Sequence, residues 1–175
     1  MILGLSPSTF VVLHVVLSLV GLATGIAALI GMLGSRVLPG ITALFLLSTL
    51  ATSMTGFFFP FTGVGIGHVT GVLSLAVLVP TLVALCVHRL AGHWRWIYVA
   101  GATTALWLNG VIAIFQAYAK IAYLQPLAGT PAVMATQAVV FVTLALIGSL
   151  AAAVFEPCET WPCLQDFTAA ASPPS

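Results

Sequence analysis

Three polar side chains, Asn109, Gln116 and Lys120, interrupt the apolar run from Ala102 to Lys120. They stand seven and four positions apart, so a helix presents all three on one face. Ala102, Ala105 and Ala113 share that face, while Trp107, Leu108, Ile114, Phe115 and Tyr118 spread over the others. A small, polar stripe of this kind is expected to face protein rather than lipid. Its amides and ammonium can donate and accept hydrogen bonds but supply no nucleophile and no acid. The chemistry on offer is recognition, or adhesion between helices. Asn109 lies too deep to reach water and needs a partner within the bundle, whereas Lys120 can snorkel from the helix end.

Histidine supplies the other reactive groups. His14 shares a helical face with Ser18, Gly21, Gly25 and Ala28, and His68 opens a later apolar run. Two histidines at comparable depth on different helices are the minimum set of axial ligands for a haem b, which would make the chain an electron carrier. The plainer reading is a histidine hydrogen-bonded between helices, and it needs no cofactor. His88 and His93 have no acid near them and only the single Cys86, so a zinc site there would require ligands from elsewhere. Cys86 is a lone thiol in an apolar run and is read as space-filling. The glycines of Thr62 to Gly67 lack the strand and the Lys-Ser/Thr that a phosphate cradle requires. No acid lies within an apolar run, which removes buried carboxylate relays and acid-base triads alike.

The elements that position these groups follow from composition. The 175 residues are 61% hydrophobic and 4% charged, with a mean hydropathy of +1.22. A soluble domain carries roughly a quarter charged residues, so the solvent expected here is the lipid bilayer. A membrane-spanning helix needs roughly 20 apolar residues. Five stretches qualify: Thr9 to Leu33, Ile41 to Phe59, Ile66 to Val87, Trp96 to Ala119 and Ala132 to Phe155. The predicted fold is therefore all-α, an integral membrane bundle of five transmembrane helices over residues 1–155, followed by a polar, disordered tail over 156–175. Met1 to Ser8 holds no Lys or Arg, so the first apolar run is read as a retained span rather than a secretory signal. Ser48, Thr52 and Thr55 are expected to bond back to their own helix. Pro80 is expected to kink the third span by freeing the Ala76 carbonyl. Cys158 and Cys163 in the tail do not have the spacing of a strong zinc half-site. A net charge of +1 without a basic run gives no reason to expect nucleic acid as a partner.

The runs TGFFFPF, WLNGVIAIFQAYAK and TPAVMATQ resemble those of a family of small, uncharacterised bacterial multi-pass membrane proteins. The resemblance covers Thr55 to about Phe155 and rests on Trp107-Leu108-Asn109, Gln116, Lys120 and Gln137. The chain departs from the family pattern in two places. Gln125 to Pro131 lacks an acidic residue, and the tail is acidic and Cys-bearing rather than basic. The resemblance implies a bacterial inner-membrane location and transfers no activity.

Arg36, Arg89 and Arg95 fall on one side of a five-span chain and Lys120 on the other, which predicts an outside N-terminus and a cytoplasmic C-terminus. In that topology His14, Thr55, His68, Gln116, Lys120 and Gln137 occupy the outer half of the membrane. The leading expectation is a non-enzymatic module with an outer-leaflet polar pocket lined by His14, His68, Gln116, Lys120 and Gln137. Such a pocket would take a small or lipidic ligand, or a partner subunit in a homo-oligomer or larger membrane complex. A haem b carrier using His14 and His68 is the alternative, and a small transporter the second. A reporter fused after Ser175 should be active in the cytoplasm, and one placed in Gly63 to Gly65 outside. Activity of the C-terminal fusion on the far side would refute this orientation.

Overall fold

A computed structural model of the chain describes Gly4, residues 6–59 and residues 66–156. The tail with Cys158 and Cys163, and the reversal around Gly63 to Gly65, lie outside the described residues. Five long helices follow one another: α1 (Pro7–Leu33), α2 (Pro39–Gly56), α3 (Ile66–Leu82), α4 (Trp94–Lys120) and α5 (Pro131–Val154). A π-helical turn, Val83–Val87, extends α3, and a 3-10 turn, Gln125–Leu127, precedes α5. Local chemistry sets the boundaries. The Ser6 hydroxyl accepts from the Thr9 N–H at 3.2 Å ahead of Pro7, and the Thr130 hydroxyl accepts from the Ala132 N–H ahead of Pro131. Pro in the first turn loses no helical hydrogen bond. Ser35, at φ 51°, turns the chain out of α1 as the Arg36 N–H bonds back to the Gly31 carbonyl at 2.9 Å.

The polarity of the bundle is reversed relative to a protein folded in water. On α2, Thr42, Ser48, Thr49 and Ser53 are buried while Leu44, Leu47 and Met54 are exposed. Leu47 is 64% exposed and its near neighbour Thr49 2%. Val12, Leu19 and Ile26 on α1 and Val139, Val142 and Leu146 on α5 likewise point outward. An apolar exterior around hydroxyl-bearing contacts is stable where hydrocarbon is the solvent, and many of the hydroxyls find an acceptor on their own helix, Ser48 and Thr55 as expected. Thr52, expected to do the same, and Thr49 have no hydrogen-bond partner among the described residues. The Ser53 hydroxyl donates to the Thr49 carbonyl, Thr70 to Ile66 and Thr81 to Val77. The chain is an all-α membrane bundle.

Four helices, not five, are long and apolar enough to cross a bilayer: Pro7–Leu33, Ile66–Val87, Trp94–Lys120 and Pro131–Val154. The exception is α2, expected as a span over Ile41 to Phe59. It ends at Gly56 and is 18 residues long. The six hydroxyls of Thr42, Ser48, Thr49, Thr52, Ser53 and Thr55 dilute its apolar character. It lies antiparallel along α1, meeting it near Gly31 through Leu38, near Gly25 through Phe45 and near His14 through Thr55.

Helices approach closely where glycine removes a side chain. A methyl group on Gly101 of α4 would collide with the Thr81 hydroxyl of α3, and one on Gly148 of α5 would lie 2.8 Å from Thr103 of α4. Gly110, also on α4, has nothing within 4 Å of that position. Gly101→Ala should therefore cost about 1–3 kcal/mol through overpacking and lower the thermal unfolding temperature in detergent. Gly110→Ala should be neutral or stabilising, since Ala is the better helix former. Equal effects of the two substitutions would refute this packing.

Candidate functional site

Asn109 is buried where α1, α2 and α4 meet. The Ser18 hydroxyl donates to its Oδ1 at 2.7 Å, and its Nδ2 donates to the Ser18 carbonyl at 3.1 Å. Gly21, one turn along α1, makes the room. A methyl group there would lie 3.1 Å from Asn109 Nδ2 and 3.2 Å from the hydroxyls of Ser48 and Thr49. The expected small-xxx-small pair thus admits an amide at Gly21, and the rings and branches of Phe45 and Leu106 at Gly25.

Towards the end that carries Lys120, the side chains singled out from the sequence take different partners. His14 Nδ1 lies 2.8 Å from Thr55 Oγ1, and Phe59 packs edge-on against the imidazole. The Thr55 hydroxyl proton is directed to the Ala51 carbonyl at 2.7 Å. The hydroxyl thus links the imidazole to the backbone of α2. His68 contacts a different residue, Phe57, with ring centroids 6.3 Å apart. Helices α1 and α3 each pack against α2, so the end of α2 stands beside both histidines. Gln137 Nε2 donates across to the Val111 carbonyl at 3.0 Å, which fastens α5 to α4. Gln116 and Lys120 are exposed and hold no hydrogen bond among the described residues. The α4 stripe is buried at Ala102, Ala105 and Asn109 and emerges at the surface by Gln116. No described cluster of three His, Cys, Asp or Glu side chains is placed to hold a metal ion.

A cavity of about 470 Å³ lies elsewhere, between α4 and α5. Trp96, Ala100, Thr103 and Trp107 form one wall, and Phe141, Ala145, Gly148 and Ala152 form the other. At one end Trp107 meets Phe141 edge to face, with centroids 5.0 Å apart. Beyond that contact the two helices are sewn together by Gln137 and by Tyr118, whose hydroxyl lies 2.8 Å from Thr136 Oγ1. The other end opens beside Trp96, the first exposed ring of α4. Thr103 Oγ1 and Trp107 Nε1, on the cavity wall, are buried without hydrogen-bond partners among the described residues. The sequence reading did not find this cavity. Its trace was the spacing of Ala145, Gly148, Ser149 and Ala152, a small-residue stripe facing two tryptophans.

The mouth of the cavity coincides with the arginine-bearing end of the bundle. The guanidinium carbon of Arg95 sits 5.4 Å from the centroid of the Trp96 ring. Its Nη1 donates to the Phe155 carbonyl at 2.9 Å and lies 3.9 Å from Glu156 Oε1. The Ser35 hydroxyl donates to the Val154 carbonyl at 2.6 Å, which ties the ends of α1 and α5 together. His88 stacks flat on Trp94, 3.6 Å away. This end is a closed cap around an open groove.

Asn109→Leu removes two interhelical bonds worth roughly 0.6–2 kcal/mol each in membranes and should lower thermal stability measurably. Gln116→Leu and Lys120→Met should leave it nearly unchanged. Comparison with protein-family models, with curated proteins and with solved structures finds no match for the chain.

Proposed function

We propose that the chain is a non-enzymatic integral membrane module that holds a lipidic ligand, with an acyl chain lying in the groove between α4 and α5. The observation that carries this reading is the groove itself: about 470 Å³, walled by aromatic and small side chains, closed at mid-helix by Trp107 and Phe141 and open beside Trp96. Apolar concavities with few polar groups are the usual form of sites for apolar ligands. Of the polar groups expected to converge on a pocket, His14 is engaged by Thr55 and Gln137 by Val111, while Gln116 and Lys120 are exposed. The mouth lies at the end of the bundle where Ser35 and Arg95 both bond to the end of α5, and the arginines gathered there favour a cytoplasmic mouth and an inner-leaflet ligand.

A second reading draws on the placement of His14 and His68 beside the same end of α2. The two imidazoles would be the axial ligands of a haem b. Absorption spectra separate the two readings. A Soret band in protein from haem-replete cells, lost in both His14→Ala and His68→Ala, would establish the electron carrier.

The lipid reading predicts where a photoactivatable acyl chain will react. With the reagent carried on phosphatidylcholine, labelling should concentrate on Thr103, Trp107 and Phe141 and should fall in an Ala100→Phe variant that fills the groove. Labelling spread evenly over outward residues such as Val12 and Leu19 would refute it.

A further inference from the structure

We infer that the groove between α4 and α5 selects an anionic phospholipid, whose phosphate sits on the Arg95 guanidinium while its acyl chain lies between the helices. The inference rests on the acyl-chain reading above and adds the headgroup. Trp96 at the mouth and Trp107 at the closed end are 11 positions apart, about 16 Å along a helix at 1.5 Å per residue. One leaflet of a bilayer whose hydrocarbon core is roughly 30 Å thick has a depth of about 15 Å. The groove therefore spans a single leaflet, and a chain filling it places its headgroup at the level of Trp96. Arg95 is the adjacent residue, and its guanidinium leans over the Trp96 ring.

The Arg95 guanidinium is poised for an anion and only weakly engaged by one. It carries five N–H donors, yet among the described residues only Nη1 makes a polar contact: the Phe155 carbonyl at 2.9 Å and Glu156 at 3.9 Å. The Glu156 side chain is 82% exposed, against 27% for Arg95. At that distance and exposure the carboxylate is a loose counter-ion. A phosphate can accept two parallel N–H bonds from the same fork, which is the stronger arrangement. Glu156 is thereby a competitor that an anionic lipid displaces.

The test uses the full chain, purified in a mild detergent and offered equal amounts of phosphatidylglycerol and phosphatidylcholine with identical acyl chains, with retained lipid read by native mass spectrometry. Phosphatidylglycerol should be retained about fivefold over phosphatidylcholine, the ratio expected from one basic residue acting on one anionic headgroup. Arg95→Gln should bring the two lipids to parity. Ala100→Phe should reduce both. Glu156→Gln alters an exposed side chain that holds no part of the fold, and it should raise the preference for phosphatidylglycerol. Equal retention of the two lipids by the unsubstituted chain would overturn the inference and leave the acyl-chain reading standing. A preference that survives both Arg95→Gln and Ala100→Phe, or is indifferent to Glu156→Gln, would also overturn it.

Discussion

The bundle is organised around one buried amide. Within hydrocarbon an unpaired polar group has no water to fall back on, so Asn109 can occupy the middle of α4 only where another helix offers both a donor and an acceptor. Ser18 offers both, through its hydroxyl and its carbonyl. The reciprocal pair fixes the rotation of α4 against α1, and Gly21 fixes their distance, because any side chain there would press on the amide and on Ser48 and Thr49. Once α1 and α4 are set, the hydroxyl face of α2 has a defined place to lie and α5 a defined partner.

The same constraint accounts for the reversed polarity. Hydrophobic burial does little to associate helices whose surroundings are already apolar, so close contact and hydrogen bonding decide which faces meet. Leu44 and Leu47 can remain outside at no cost, while Ser48 and Ser53 turn inward and donate to carbonyls of their own helix. On the seam between α4 and α5 the backbone of Gly148 comes close to Thr103, while the larger rings of Trp96, Trp107 and Phe141 stand out beside it. Large rings beside small residues leave a groove that the protein itself does not fill, and hydrocarbon is the natural filling.

Arg95 shows how the end of the bundle depends on its length. It bonds to the last carbonyl of the helical domain, at Phe155, and stands over the first exposed tryptophan of α4. A shorter α5 would leave that guanidinium without its neutral anchor.

By itself the sequence determined that the chain is helical and lipid-solvated, and it placed the helices to within a few residues, because apolar run length and turn residues are local quantities. It also identified Asn109 as a group that must be paired inside, since depth alone forbids it water. The count of spans was not legible to the same degree. The apolar stretch of α2 was extended through the Phe cluster, whereas the helix stops at Gly56 and is diluted by hydroxyls. Tertiary structure alone decided which polar side chains meet. Helical spacing put Gln116 and Lys120 on the face of Asn109, but a face is buried only as far as a neighbour covers it, and that cover is lost by Gln116. Similar depth put His14 beside His68 in sequence logic, yet depth carries no information about azimuth, and the two rings contact different residues at the end of α2. The groove belongs to this second class as well. A cavity is the mismatch between two surfaces, so neither helix specifies it until both are in place.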